Sequence, residues 1–256
     1  MISKNRIKFI RSLALKKHRD ETGFFIAEGP KTVNELLKYY PCEYLAATEG
    51  WECPVILPPS LAKDSVTDDE LAKISFLKTP QYVLAVFRRQ KKETDVLSIP
   101  RNRLCLALDN VQDPGNLGTI IRLADWFGIE HIFCSLDTAD AFSPKTVQAT
   151  MGAIARVHIH YLPLADFIAS LKQEIPVYGT FLDGENIYSK QLEQRGLLVM
   201  GNEGNGISPE IEKLVNQKLY IPNYPDGRDT SESLNVAVAT AVTCAEFRRR
   251  GRTDGA

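Results

Sequence analysis

The 256-residue sequence lacks the apolar runs and cysteine patterns that mark several protein classes. No stretch approaches the roughly 18 consecutive apolar residues of a membrane span, so we expect no membrane partner. The basic N-terminus has no apolar run followed by a small-residue cleavage site, which argues against a signal peptide. The five cysteines are scattered and odd in number, which favours reduced thiols in the cytoplasm over disulfides. No CxxC or HxxxH spacing indicates zinc, and we expect no metal.

The common nucleotide and hydrolase motifs are also missing. The glycines of GNEGNG (201–206) follow a late strand and do not have the GxGxxG spacing of a dinucleotide-binding loop. GPKT (29–32) lacks the core of a P-loop, and no GxSxG elbow occurs. These absences count against NAD chemistry, NTP hydrolysis and a serine hydrolase.

Charge is distributed unevenly, although the formal net charge is only −1. The first 100 residues hold 16 Lys and Arg against 13 Asp and Glu, whereas the remainder holds 15 against 19. The first 19 residues carry seven basic side chains and no acid, and such an end attracts polyanions. From composition alone, a solvated helix face remains the stronger interpretation of this basic stretch.

The apolar pattern predicts a small N-terminal α/β domain over residues 1–95. Residues 3–17 are predicted to form a basic helix, and PVILP (54–58) is one of several predicted strands. The charged segment RRQKKETDVLSIPRN (88–102) has no clear period and is the best linker candidate.

A second α/β domain is predicted over residues 96–256. Short apolar runs such as LCLALD (104–109) and LLVMG (197–201) are typical of strands buried on both faces. They alternate with amphipathic helices, which predicts a doubly wound, mostly parallel sheet with helices on both faces.

Three strand-to-loop junctions hold the candidate functional residues, because ligands of open α/β sheets bind beyond the carboxyl ends of strands. They are LDNVQDPGNLGTIIRLADWFGIEHI (108–132), LLVMGNEGNGIS (197–208) and YIPNYPDGRDTSESLNVAVATAV (220–242). Taken singly, each has an equally good structural interpretation. Asn116 would cap a helix that begins at Leu117, and Ser233 would cap the last helix. Arg122 would be a surface cation, and Glu203 a solvated loop acid.

Taken together, the junctions resemble the motifs of the SpoU/TrmH family of RNA 2′-O-ribose methyltransferases. Motif one is NLGTIIR (116–122), motif two is GNEGNG (201–206), and motif three combines Ile221-Pro222 with SLN (233–235). The motifs occur in the family's order. GFFIAEG (23–29) and the basic first helix resemble the family's N-terminal SpoU-type substrate-binding domain, so the resemblance covers nearly the whole chain.

This resemblance implies a C-terminal trefoil-knotted, SPOUT-like domain and a smaller N-terminal RNA-binding domain. It also implies a homodimer whose active site uses residues of both subunits. The expected reaction is methyl transfer from S-adenosylmethionine to a ribose 2′-hydroxyl of ribosomal RNA in the cytoplasm. The alternatives are a tRNA ribose methyltransferase, a non-catalytic RNA-binding protein on the same scaffold, and a small-molecule α/β enzyme.

The resemblance also assigns site residues. The expected catalytic residues are Asn116, Arg122, Glu203, Ser233 and Asn235. The expected cofactor contacts are Thr180, Gly201, Gly206, Ile221 and Leu234. The expected RNA contacts are Lys4, Lys8, Arg11, Lys16, Arg88 and Arg89, with Lys91 and Lys92 beside them.

Elementary chemistry restricts the roles of these residues. A guanidinium stays protonated and is a poor base, so we expect Arg122 to clamp a phosphate and to stabilise developing alkoxide. Glu203 is expected to orient either Arg122 or the pocket loop. The loop 223–232 is longer than the family's usual form, which leaves the shape of the pocket rim open.

Overall fold

The computed structural model describes residues 2–90, 95–171, 174–225, 231 and 233–251. The chain forms two compact units. The first contains Met1–Lys92 together with Asp140–Arg156, and the second contains Glu93–Ala139 and Val157–Ala256. The predicted domain boundary between residues 95 and 96 remains a prediction. The predicted N-terminal domain did not contain residues 140–156, which pack with the first unit.

Helices and strands alternate through both units. The helices of the described residues are α1 (Lys4–Ser12), α2 (Lys16–Thr22), α3 (Pro30–Leu36), α4 (Asp68–Ile74), α5 (Ile99–Asn102), α6 (Pro114–Trp126), α7 (Pro144–Thr150), α8 (Leu164–Ser170), α9 (Pro209–Glu212) and α10 (Val236–Gly251). The strands are β1 (Phe24–Glu28), β2 (Cys42–Ala47), β3 (Ala62–Ser65), β4 (Val83–Arg88), β5 (Leu104–Leu108), β6 (His131–Cys134), β7 (His158–Tyr161), β8 (Val177–Asn186), β9 (Gly196–Met200) and β10 (Gln217–Tyr220). None of the helices in the described ranges has the length and apolar character needed to cross a membrane.

The first unit is built on a four-stranded sheet of order β1-β4-β2-β3. Strand β4 is antiparallel to β1 and β2, and β3 is parallel to β2. One face of this sheet packs against α1 and α4 around Ile10, Leu13, Ile26 and Leu71. Burial of such apolar side chains is the main favourable term in folding this unit.

The predicted helix over residues 3–17 is interrupted. Helix α1 ends at Ser12, and α2 begins at Lys16. The guanidinium of Arg19 donates to the carbonyl oxygens of Leu13 and Ala14 at 2.7 Å each. Carbonyls at a helix end need such partners, and Arg19 in the following helix supplies them here.

The predicted strand at residues 54–58 is wrong. This stretch forms no strand, and β3 follows it at Ala62–Ser65. Prolines at both ends of the stretch cannot donate to a sheet. Ile56 in its middle is 101% exposed, so the apolar run has no core to enter.

Residues 140–156 complete the core of the first unit. Both Nε and NH2 of Arg19 donate to Oδ2 of Asp140, at 2.9 and 2.6 Å, and the arginine side chain is only 3% exposed. The ring of Phe142 packs on that of Phe25 with 4.9 Å between centroids. Removing either partner of such a buried ion pair leaves an uncompensated charge, so this pair fixes the segment firmly.

The second unit contains a six-stranded sheet of order β10-β8-β9-β5-β6-β7, and every neighbouring pair is parallel. Every residue of β5 and β9 is buried, as their continuous apolar sequences predicted. Neighbouring residues of β8 show that helices cover both faces. Val177 belongs to the cluster packed on α8, while the ring of Tyr178 packs on Phe247 of α10 at 4.9 Å. The predicted α/β class, with a mostly parallel sheet and a smaller N-terminal domain, is confirmed.

Candidate active site

The strand order brings the three junctions to one edge of the parallel sheet. Strands β8, β9 and β5 are neighbours, and β10 lies beside β8. Because all run in one direction, the loops that follow them leave from the same edge. The sequence predicted this convergence, and side-chain hydrogen bonds join the loops to each other.

Glu203 holds the loop of motif one. Its Oε1 accepts hydrogen bonds from the backbone N–H of Asp113 and from Nδ2 of Asn116, both at 3.0 Å. Its Oε2 accepts from the backbone N–H of Gln112 at 3.1 Å. Burial by itself would raise the pKa of the Glu203 carboxyl, but these hydrogen bonds outweigh burial and hold that pKa below its ordinary value. Glu203 therefore remains an ionised acceptor and is a poor proton acceptor in catalysis.

Asn116 does not cap its helix. Helix α6 begins at Pro114, and Asp113 is the N-cap, with Oδ1 accepting from the backbone N–H of Asn116 at 2.8 Å. The structural interpretation of Asn116 as a cap is therefore wrong. Its side chain donates through Nδ2 to Glu203 and accepts through Oδ1 from Nδ2 of Asn235 at 3.0 Å. Since the carboxylate of Glu203 can only accept, it fixes which end of the Asn116 amide points towards it.

Asn235 joins motif three to this network. Its Oδ1 accepts from the backbone N–H groups of Ala237 and Val238, at 2.9 and 3.3 Å, so Asn235 caps α10. The cap assigned to Ser233 in the structural interpretation is therefore wrong. Since Oδ1 is engaged, Nδ2 of Asn235 is directed to Asn116. One residue from each motif thus forms a continuous chain from Glu203 through Asn116 to Asn235.

A cavity of about 460 Å³ lies beside this network. The predicted cofactor contacts all line it, namely Thr180, Gly201, Gly206, Ile221 and Leu234. Glu203 and Ser233 also line it, and Met200, Val236 and Ala239 add apolar surface. Half of the remaining lining comes from the loop after β9, and the rest from β8, α9 and β10.

The glycines of motif two are required by the backbone. A Cβ on Gly201 would lie 2.2 Å from the carbonyl carbon of Gly206, which no side chain can tolerate. Gly206 has φ +68°, a left-handed conformation that favours glycine. The backbones of Asn202 and Gly206 exchange hydrogen bonds of 2.8 and 3.0 Å across this turn. The two glycines therefore fold the loop back on itself at the cavity wall.

Arg122 lies apart from this network within one chain. It is exposed on α6, and its side chain forms no hydrogen bond or ion pair with any other described residue. Of the two roles expected for Glu203, the structure therefore supports the contact with the loop rather than a contact with Arg122. An exposed guanidinium with its donors free is available to an incoming phosphate.

Two polar contacts of the site were missed from the sequence. Nδ2 of Asn202 donates to the carbonyl oxygen of Asn110 at 2.7 Å, and Oδ2 of Asp109 accepts from the backbone N–H of Ser208 at 2.7 Å. Both contacts tie the end of β5 to the loop after β9. The available signal was the polar run that follows each apolar strand, LDN (108–110) and GNE (201–203).

In the first unit, most of the predicted RNA contacts already have protein partners. Lys16 pairs with Asp20 at 2.7 Å, Arg88 pairs with Glu43 at 2.8 Å, and Arg89 also pairs with Asp20, at 2.9 Å. The pairs of Lys16 and Arg88 are exposed, so they are weak and can be exchanged for phosphate, whereas the Arg89 side chain is only 21% exposed and lies over the ring of Phe142.

The face of α1 carries the remaining predicted contacts. Lys4 and Lys8 are exposed and form no hydrogen bond or ion pair with another residue in the described ranges. Arg11 donates to the carbonyl oxygen of Ser75 at 2.9 Å, and its guanidinium lies over the ring of Phe76. Lys91 and Lys92 lie outside the described residues, as does most of the long loop 223–232.

Comparison with known proteins supports the same interpretation. Residues 103–245 match the SpoU rRNA Methylase family, and residues 4–85 match the MRM3-like substrate binding domain. The chain is 31% identical over 246 residues to the 23S rRNA (guanosine(2553)-2′-O)-methyltransferase RlmP of Bacillus subtilis, covering 95% of this chain and 96% of the relative.

Solved structures agree. A TrmH-family protein from Porphyromonas gingivalis is 44% identical, with a TM-score of 0.88 over 98% of this chain and 99% of the other. An AdoMet-bound rRNA methyltransferase from Sinorhizobium meliloti is 30% identical, with a TM-score of 0.82 over 98% and 97%. The resemblance found in the motifs is confirmed, as is the activity that it implied, AdoMet-dependent RNA 2′-O-methylation. The chain belongs to the SpoU rRNA methylase family.

Proposed function

We propose that this protein transfers a methyl group from S-adenosylmethionine to a ribose 2′-hydroxyl of ribosomal RNA. The observation that carries the proposal is the chain of hydrogen bonds from Glu203 through Asn116 to Asn235 at the rim of the cavity. It joins the three motifs and leaves an exposed guanidinium, that of Arg122, on the same helix as Asn116. Relatives that cover almost the whole chain act on ribosomal RNA, which favours this substrate over tRNA.

The cavity fits the methyl donor. Its volume of about 460 Å³ lies within the usual range of small-molecule sites, roughly 300–1,000 Å³. Gly201 and Gly206 present backbone instead of side chains, and Ile221 and Leu234 supply apolar walls. We assign the adenosyl and methionine parts of the donor to these residues together with Thr180.

Methyl transfer depends more on the alignment of the ribose hydroxyl with the methyl donor than on acid or base catalysis. S-adenosylmethionine supplies a methyl group on a positively charged sulfonium sulfur, so the leaving group becomes neutral and needs no metal. Holding two reactants in line is worth effective molarities of about 10⁵–10⁸ M in favourable cases. Asn116 would fix the ribose, Ser233 and Asn235 would shape the reacting end, and Glu203 would hold Asn116 in place.

Arg122 would bind the phosphate next to the target ribose and stabilise the developing alkoxide. A guanidinium does both without giving up its proton, because its planar fork matches phosphate oxygens. The hydroxyl proton then passes to that phosphate, which is the acceptor we favour. Glu203 is not placed to accept the proton, because both of its carboxylate oxygens already accept hydrogen bonds from the loop of motif one.

We further propose a homodimer in which Arg122 serves the cavity of the second copy. Helix α6 packs on α10, and this pair exposes large apolar side chains, with Trp126 83% and Val238 50% exposed. A second copy would bury them.

The trefoil knot and the cytoplasmic location that the sequence suggested are part of this proposal. The free and buried Cys105, Cys134 and Cys244 suit a reducing compartment.

The test is tritium transfer from S-adenosylmethionine to RNA transcribed in vitro, which carries no modification. We expect labelling of 23S rRNA and little labelling of tRNA, with the label released as a 2′-O-methylnucleoside. Asn116→Ala should abolish labelling, and Asn102→Ala serves as the matched control, because Asn102 is an exposed asparagine whose side chain donates to the carbonyl oxygen of Ser98, the residue before α5. Labelling of tRNA alone would overturn the substrate. RNA binding without any labelling would support the non-catalytic alternative.

A further inference from the structure

Tyr82 has an unusual backbone conformation at the start of the central strand of the first unit. Its φ is +51°, in the left-handed region that side chains other than glycine and asparagine rarely adopt. The backbone N–H of Val83 donates to the carbonyl oxygen of Gln81, which closes a three-residue turn centred on Tyr82. Such turns are rare and strained.

The surrounding sheet enforces this turn. The carbonyl oxygen of Tyr82 accepts from the backbone N–H of Thr48 at 2.8 Å, and that of Val83 accepts from Gly29 at 2.9 Å. Both neighbouring strands, β2 and β1, therefore hold the turn. A glycine at position 82 would satisfy the same hydrogen bonds without strain, so the tyrosine side chain is not explained by the backbone.

The ring of Tyr82 does not enter the core either. The residue is 52% exposed, although the next residue, Val83, is buried. The ring rests against Gly50, where a Cβ would lie only 3.0 Å from two ring carbons. One edge of the Tyr82 ring therefore lies against the backbone of Gly50, and about half of the residue stays open to solvent.

We propose that Tyr82 is a stacking platform for an unpaired base of the RNA substrate, a role that rests on the proposed function. Exposed aromatic rings bind unpaired RNA bases by stacking, because every base presents a flat face. Tyr82 lies inside the region that matches a substrate-binding domain, residues 4–85. Lys78 lies four residues before Tyr82, and Lys31 lies two residues after Gly29, which bonds to Val83; both lysines are exposed and can bind the phosphates on either side of a stacked base.

The experiment measures the affinity of the full chain for 23S rRNA transcribed in vitro, beside methyl transfer and the melting temperature. Loss of one stacked base should weaken binding by about 5- to 150-fold. We expect this loss in Tyr82→Gly and Tyr82→Leu, and near-normal binding in Tyr82→Phe. The matched control is Tyr39→Ala, because Tyr39 lies in the same unit and is 47% exposed.

Two further readouts make the result decisive. Tyr82→Gly should leave the melting temperature almost unchanged, because relief of the backbone strain offsets the lost ring contact and the greater chain entropy of glycine, so weaker RNA binding by this variant cannot come from unfolding. The salt dependence of binding should stay unchanged, because stacking releases no counterions. Unchanged RNA affinity in Tyr82→Gly, or an equal loss in Tyr39→Ala, would overturn the proposal. Failure of the proposed function is distinguishable, since the unmodified protein would then transfer no methyl group.

Discussion

Replacement of Glu203 by glutamine tests the central feature of the site. Glu203 receives three hydrogen bonds, two on Oε1 and one on Oε2. Glutamine keeps the size of the side chain but offers one oxygen and one NH2 group. Whichever way the amide turns, its NH2 faces a donor, either the N–H of Gln112 or the N–H of Asp113 with Nδ2 of Asn116.

The expected stability cost is small. An unsatisfied buried donor costs about 1–3 kcal/mol, and Glu203 is an exposed residue whose partners can turn to water, so we expect about 1 kcal/mol or less. For a protein of about this length, a loss of about 1 kcal/mol in the free energy of unfolding lowers the melting temperature by about 2–4 °C. The protein should therefore stay folded and testable.

The expected cost in activity is larger. Once Glu203 no longer anchors the amide of Asn116, the ribose loses its alignment, and a misplacement of about 1 Å costs about 10²-fold in rate. We expect kcat of Glu203→Gln to fall by about that factor. Affinity for S-adenosylmethionine, measured by calorimetry, should change little, because the cavity is lined mainly by other residues.

The pH dependence separates positioning from base catalysis. The pKa of Glu203 is lowered in the folded protein, so its contribution to stability is complete above the ordinary carboxyl range and is lost only as the pH falls through the folded value. The kcat profile of the unmodified protein should therefore show no Glu203 limb between pH 6 and 8. A rise of kcat with pH in that range that Glu203→Gln removes, or a variant with normal kcat, would refute this reasoning.

Three other changes probe the remaining features. Arg122→Ala and Arg122→Lys should both lose about 10²–10³-fold in methyl transfer at unchanged S-adenosylmethionine affinity, and near-normal transfer by the lysine variant would reject the phosphate clamp. Gly201→Ala should lower S-adenosylmethionine affinity in calorimetry, because its Cβ would lie 2.2 Å from backbone; binding like that of Gly128→Ala, where nothing lies within 4 Å, would contradict this. Burial, with repulsion from His158 and His160, lowers the pKa of His131 to about 4, so the free energy of unfolding should fall by up to about 3 kcal/mol as the pH drops from about 6.5 to 4. The loss should be smaller in His131→Gln, measured by denaturant titration, and an equal loss in both proteins would rule this histidine out.

The site was predictable from sequence where local pattern and chain order carried the information. Buried parallel strands such as LCLAL have a continuous apolar sequence, and the polar residues after them mark the edge at which ligands bind. Within the junctions located in this way, Glu203, Asn116 and Asn235 were found through the resemblance to the SpoU/TrmH motifs. Their mutual hydrogen bonds were not, because Asn116 and Ser233 have an equally good use as helix caps, and only the fold shows that Asp113 and Asn235 are the caps.

Other features depend on contacts that the local sequence pattern does not show. The prediction of a strand at 54–58 was wrong because an apolar run forms a strand only where it pairs with a neighbouring strand. The prolines at both ends of this run have no N–H to donate to one. The break after Ser12 depends on Arg19, whose guanidinium takes the carbonyls that a longer helix would have used. The strain at Tyr82 follows from the register of three strands and has no local signal.

The packing of residues 140–156 with the N-terminal unit affects how the chain folds during synthesis. Domains usually fold in the order in which they leave the ribosome. Here Arg19 lacks its counter-charge, and Phe25 lacks the ring of Phe142, until the segment 140–156 has emerged. By then β5, α6 and β6 of the second unit have already been made. The core of the N-terminal unit therefore stays incomplete while the first part of the second unit is synthesised. A nascent chain stalled near residue 92 should remain accessible to proteases and chaperones.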